Sequence, residues 1–271
     1  MIKLHVLKCG EVGVDPAVPR RDVSRNPLAY TGLFRSPKRR IWLPVFTYLI
    51  EHPKGNILID TSWCKEVRIN PVKTESFPLW FASKSKLPQG SAVDEQIAAK
   101  GIMVSELDYV ILTHMDVDHV NGIQMVKNAK QILASEEELA KSNCRDVRYW
   151  KEQWNGIHIS KIPFEKAKEE IAGVARKVWD VFDDGTVKVI FTPGHSAGAI
   201  TVLVQSGEKS ILIAGDTGYA KSSWRENKLP GPVYDKKKMR EALAWILELE
   251  QEGTMILASH DPEVKQQTIE L

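Results

Sequence analysis

Cysteine is scarce in this chain. It has only Cys9, Cys64 and Cys144, an odd count with no CxxC pair. A disulfide framework and a thiolate zinc site are therefore not expected, and a reducing cytoplasm is the default compartment. Cys64 reads as a small apolar filler. Long apolar runs are also missing. The longest, Trp42 to Ile50, is broken by Pro44 and Thr47 and is too short to span a bilayer. The opening residues MIKLHVLKCG lack the apolar stretch of a signal peptide. Charge of one sign is not in excess: 37 Lys and Arg face 35 Asp and Glu. Neither a nucleic-acid partner nor a membrane partner is expected from such a balance. The local run Arg35, Lys38, Arg39 and Arg40 reads as a solvated loop. No short-period repeat is evident.

What is present suits a sizeable core. The 271 residues are 43% hydrophobic, enough for one domain over 1–271 made of two βα halves. Strand-like and helix-like segments alternate, which indicates an α/β layered fold. Strands are expected over 2–8, 42–50, 56–60, 108–113, 157–163, 187–192, 199–205, 210–214 and 254–258. His52 to Gly55 is the turn of a hairpin. Helices are expected over 94–100, over 135–142 with Ser135 and Glu138 as a capping box, and over 235–250 behind Asp235. Residues 165–178 read as a charged helix or a mobile excursion. Residues 61–91 read as a long loop carrying Trp63, Phe77, Trp80 and Phe81. Such a loop is expected to shape a substrate pocket or a dimer interface.

Histidines and aspartates recur just after the strand-like runs: His114 and His119, His195, His260, Asp60 and Asp216. Strand ends present side chains to a shared edge, so the set points to a metal centre. The densest cluster is Thr113-His114-Met115-Asp116-Val117-Asp118-His119. His114 and Asp116 can serve one ion, and Asp118 with His119 a second. Met115 and Val117 point back to the core. Imidazole with carboxylate suits zinc, iron or manganese.

THMDVDHVNG resembles the HxHxDH signature of the metallo-β-lactamase superfamily, with Asp116 where a histidine is usual. Phe191 to Ser196 is similar to that family's TPGH strand end, Ile213 to Asp216 to its GD motif, and Ile57 to Thr61 to its LIDT strand. Ala258 to Asp261 supplies the last histidine. These elements occur in the family's order. Within the superfamily the chain looks most like the N-acyl homoserine lactonases. The opening hairpin, Tyr219 three residues after Asp216, and SHDPE all contribute to that likeness.

The resemblance implies a four-layer αββα sandwich. It implies two divalent ions, zinc foremost, with manganese or iron as alternatives because of Asp116. His114, Asp116 and His195 would hold one ion, and Asp118, His119 and His260 the other. Asp216 would bridge them, and Asp60 would orient the loop. The implied activity is hydrolysis of a lactone or carboxylic ester by a metal-bound hydroxide, with Asp118 and Tyr219 as catalytic groups. A small-molecule lactone or ester is the implied partner, and a homodimer is one assembly considered. A thioesterase or phosphodiesterase on the same scaffold is the alternative. A regulatory protein with a degenerate site is the non-enzyme alternative. Asp116 leaves two dications with one net positive charge over the three aspartates, where a histidine would leave two.

Overall fold

A computed structural model describes residues 1–271 except Arg145, Lys166 and Ala167. Long apolar runs with turn residues between them form two sheets. In the first half lie β1 (Lys3–Val14), β2 (Ile41–His52), β3 (Gly55–Ile59), β4 (Lys84–Lys86), β5 (Leu107–Ile111), β6 (Gln131–Ala134) and β7 (Ser160–Lys161). The second half adds β8 (Lys168–Ile171), β9 (Val174–Asp180), β10 (Val187–Phe191), β11 (Ile200–Ser206), β12 (Lys209–Gly215), β13 (Met255–Ala258) and β14 (Gln267–Glu270). The first sheet runs β14-β1-β2-β3-β5-β6-β7, with β4 also paired to β1. The second runs β13-β12-β11-β10-β9-β8. Pairing is parallel across β3, β5, β6 and β7 and between β12 and β13, and antiparallel elsewhere.

The helices are α1 (Pro71–Glu75), α2 (Phe77–Ala82), α3 (Val93–Ala98), α4 (Val117–Val120), α5 (Glu136–Ser142), α6 (Lys221–Arg225) and α7 (Lys236–Gln251). Three apolar layers explain why the central strands read as continuous hydrophobic runs. Ile57, Ile59, Ile111, Val202, Ile211 and Ile213 meet between the sheets. Leu58, Val110 and Leu49 face outward onto Ile97 of α3 and Ile123. Leu212, Leu203 and Ile190 face outward onto Met239, Leu243 and Ile246 of α7. A strand buried on both faces has no polar side to alternate with. The result is the expected αββα sandwich.

The Ser135 cap accepts from the Glu138 amide at 3.1 Å, and Asp235 accepts from Lys237 and Lys238. Three sequence readings need correction. Residues 61–91 are not a loop: they hold α1, α2, β4 and a 3-10 turn at Lys65–Arg68. Within 165–178 the described residues form the hairpin of β8 and β9, with Lys166 and Ala167 outside them. The basic run is not wholly solvated. Arg35 pairs with Asp15 at 2.8 Å, and Arg40 donates to the carbonyls of Gly13, Phe81 and Ala82. No helix among the described residues is long and apolar enough to cross a membrane.

Candidate metal centre

Five chain segments leave strands β3, β5, β10, β12 and β13 on one edge of the sandwich and bring Asp60, residues 113–119, His195, Asp216 and His260 together. Backbone bonds stitch the two sheets at this edge: Ile200 N donates to Thr113 O at 3.0 Å, and Phe46 N to Ser259 O at 3.0 Å. Met115 and Val117 are buried, as their alternation with the acidic residues requires.

The imidazoles have defined tautomers. His260 Nδ1 lies 2.8 Å from the Pro44 carbonyl, which can only accept, so that nitrogen carries the proton. His119 Nδ1 donates to Asp60 Oδ2 at 2.8 Å. Thr113 Oγ1 donates to Asp60 Oδ2 at 2.7 Å and therefore accepts from His114 Nδ1 at 3.0 Å. In the neutral form all three rings thus turn the Nε2 lone pair inward. Asp60 also accepts from Thr113 N at 2.7 Å. It sits at φ 62°, a left-handed backbone uncommon outside glycine. Its carboxylate ties the β3 end to the His119 ring directly and to the His114 ring through Thr113.

Asp216 divides its oxygens between two groups. Oδ1 lies 3.2 Å from His119 Nε2 and 3.1 Å from His260 Nε2. Oδ2 faces His195 Nε2 at 3.6 Å and His114 Nε2 at 4.0 Å. Asp118 Oδ2 joins the first of these groups, 3.4 Å from His260 Nε2. His119 and His260 bring their Nε2 atoms to 3.4 Å of each other. Two lone pairs and two carboxylates facing one point repel unless a cation lies among them. The buried atoms His114 Nε2 and Asp216 Oδ1 have no hydrogen-bond partner. Burial opposes positive charge on His119, but Asp216 and Asp60 raise its pKa well above the ordinary histidine value. His260 is raised in the same way by Asp216 and Asp118 against burial. Asp118, His119 and His260 bring donor atoms within 4.8 Å of one another, and Asp216 Oδ1 reaches both rings, so this donor set fits a divalent ion.

The group of His114, Asp116 and His195 also comes together, with its donor atoms within 4.8 Å of one another. Asp116 Oδ2 lies 3.1 Å from His195 Nε2 and 3.4 Å from His114 Nε2. Here the sequence reading missed a residue. Arg148 grips both Asp116 oxygens, through Nε and through Nη2 at 2.7 Å. The same Nη2 donates to His195 Nε2 at 2.6 Å, and Nη1 to the His195 carbonyl at 2.8 Å. Burial would raise the Asp116 pKa, but Arg148 and His114 hold it well below the carboxylate range. His195 is lowered to about 4, first by burial and then by Arg148.

A second missed residue is Glu138. It is buried and accepts from Met115 N at 3.0 Å, Tyr149 hydroxyl at 3.1 Å, Ser196 Oγ at 2.7 Å and Gly198 N at 2.9 Å. One carboxylate thus fixes the 114–119 loop, the 195–198 loop and the Arg148 segment. Gly198 is required there, because a Cβ would collide with Ser135 Oγ and the Glu138 amide. The capping-box pattern gave the Glu138 side chain a role at the helix end. It turns away from that end and braces the centre instead.

Tyr219 is buried with its ring 5.2 Å from that of His260. Burial, then Asp216, Asp118 and Asp116, push its phenol well above the ordinary tyrosine value. It stays protonated and can donate a hydrogen bond. Cys9 and Cys64 are free, and burial pushes both thiols up to about 12. They are inert fillers.

The family model of the metallo-β-lactamase superfamily matches residues 40–260. The chain belongs to the metallo-β-lactamase superfamily. It is a hydrolase of that superfamily, so the degenerate, non-enzymatic alternative falls away. The chain is 28% identical over 232 residues to the N-acyl homoserine lactonase AttM of Agrobacterium fabrum, covering 82% of this chain and 83% of that protein. It is 24% identical to the N-acyl homoserine lactonase of Bacillus cereus, covering 84% and 85%. A solved N-acyl homoserine lactone hydrolase with N-hexanoyl-L-homoserine at its catalytic metal centre superposes with a TM-score of 0.76 at 21% identity, covering 96% and 94%. A dizinc quorum-quenching lactonase superposes at 0.65 and 14% identity, covering 97% and 88%. These superpositions confirm the metallo-β-lactamase sandwich.

Proposed function

We propose that this chain hydrolyses the ester bond of a small lactone, an N-acyl homoserine lactone foremost, at a metal held by Asp118, His119, His260 and Asp216. The observation that carries the reading is the Asp216 carboxylate, whose oxygens face two different histidine groups in a buried, cation-demanding pocket. Similarity to lactonases over 82–84% of the chain supports the substrate class. Two imidazoles and two carboxylates suit zinc, with manganese or ferrous iron compatible with the oxygen donors. A divalent ion there supplies acidified water and carbonyl polarisation.

The chain's own groups do the rest. His119 and His260 are locked by Asp60 and the Pro44 carbonyl, which keeps both Nε2 atoms aimed. Asp118, only 13% exposed, can carry a proton from water to the departing alkoxide at its carboxylate oxygen. The Tyr219 phenol can donate to the oxyanion that forms at the carbonyl. The three free cysteines support a reducing, cytoplasmic setting for this activity.

Purified protein is assayed against N-hexanoyl homoserine lactone, an acyl thioester and a phosphodiester reporter, with metal content measured on the same sample. The expected result is lactone opening that chelator abolishes and zinc or manganese restores. Turnover of the thioester or phosphodiester with none of the lactone would overturn the substrate class. Protein that binds no metal would overturn the centre itself.

A further inference from the structure

The structure assigns the first metal position, that of His114, Asp116 and His195, to the guanidinium of Arg148, so that this chain takes one divalent ion where two were expected. The inference rests on the metal reading above for the other group.

Lone-pair geometry carries it. A guanidinium can only donate. His195 Nε2 therefore spends its one lone pair accepting from Arg148 Nη2 at 2.6 Å. Asp116 spends both oxygens on a forked pair with Nε and Nη2. His195 cannot ligate an ion while Arg148 stays, and Asp116 could offer only the oxygen lone pairs left by the fork, with a guanidinium charge beside them, so His114 and a neutralised carboxylate make a poor site. Charge agrees. One dication and one guanidinium balance Asp116, Asp118 and Asp216, whereas two dications beside Arg148 would crowd like charge into a buried space.

Arg148 is also not free to swing. Nη1 holds the His195 carbonyl at 2.8 Å, Arg148 N donates to Asp146 Oδ1 at 3.1 Å, and the next residue, Tyr149, is tied to Glu138. Asp116 thus acquires a purpose. It is the counter-ion of a built-in cation that chelators cannot strip, and a histidine at that position would leave the Arg148 guanidinium buried without the carboxylate it forks onto.

Metal-free full-length protein is titrated with zinc by calorimetry, and the dialysed product is weighed by elemental analysis. Wild type is expected to hold one equivalent. Arg148→Met, which keeps the bulk and removes the charge, is expected to take two, with its second site tightened roughly a hundredfold or more over any second wild-type event. Two tight equivalents in the wild type overturn the assignment, as does a single equivalent in a folded Arg148→Met. Zero equivalents in the wild type instead sink the metal centre on which the inference rests. Cobalt-substituted wild type gives a readout that needs no variant. An isolated cobalt spectrum at up to two added equivalents is expected, and an exchange-coupled pair would refute the assignment.

Discussion

Single residues in the second rank of contacts decide what the ligands can do. Asp60 touches no proposed ion, yet it accepts from Thr113 and from His119 Nδ1 and anchors the relay to His114. Asp60→Asn replaces one acceptor oxygen by a donor and turns the relay against itself. Zinc affinity is expected to fall by about 10–100-fold, the usual cost of losing such a support. Calorimetry checks it, and an unchanged affinity would show that backbone alone aims the rings. Glu75 offers a different residue-scale test. It is fully buried in α1, and burial raises its pKa from 4.5 to about 8, with Asp118 adding to the rise and Ser85 and Lys84 opposing it. The folded state therefore keeps a proton that the unfolded chain gives up. Stability from this group is complete below about pH 4.5, is lost as pH climbs towards about 8, and is level beyond. The loss is on the order of 5 kcal/mol at most. Glu75→Gln should flatten this slope, so that urea unfolding shows the variant gaining on the wild type between pH 5 and pH 8. Parallel stability profiles for the two proteins would contradict the burial argument.

At the scale of elements, the aromatic stretch 61–91 divides in two. Trp63 is fully buried, and its indole donates to the Glu11 carbonyl at 3.1 Å. Phe77 and Phe81 of α2 are 61% and 38% exposed and lie 6.4 Å apart, with Trp80 beside Phe77 at 6.0 Å. Trp63→Ala is expected to cost about 3–5 kcal/mol by thermal or urea unfolding, the usual range for an emptied core aromatic. Phe77→Ser should cost less than about 1 kcal/mol, as exposed positions do. Equal losses would mean that α2 packs as tightly as the core. The sequence pattern could not separate these residues, because aromatics count alike in composition and only the fold distributes them. Legibility followed local chemistry. Strand ends bearing His114, His119, His195, Asp216 and His260 were readable, since sheets buried on both faces give apolar runs that stop at polar residues. The β8–β9 hairpin was hidden, because KEEI and VARKVW carry charge on their open face and imitate a helix. Arg148 was hidden too, in a stretch with neither period nor motif. Its only trace was indirect: a carboxylate at 116, standing where a histidine is usual, calls for a cation from elsewhere.

For the whole molecule, the centre is a clasp between the two sheets. His114, Asp118 and His119 belong to the first sheet's edge, and His195, Asp216 and His260 to the second's, so an ion on Asp118, His119, His260 and Asp216 ties both halves. Such an ion binds the folded chain and finds no assembled site in the unfolded one. Binding energy then appears as folding stability. With free zinc at 100 times its dissociation constant, the gain is about 2.7 kcal/mol. For a chain this long, each kcal/mol moves the midpoint by roughly 2–4 °C. Zinc added to metal-free protein should therefore raise Tm by about 5–10 °C, and the rise should grow logarithmically with zinc. Asp216→Asn supplies the control, since it removes the charge that faces both histidine groups. Its metal-free Tm should fall somewhat below that of the metal-free wild type, because the carboxylate that pairs with His119 and His260 is lost. Its zinc-dependent rise should shrink to a small fraction. A wild-type Tm indifferent to zinc, or an undiminished rise in Asp216→Asn, would place the ion away from the clasp.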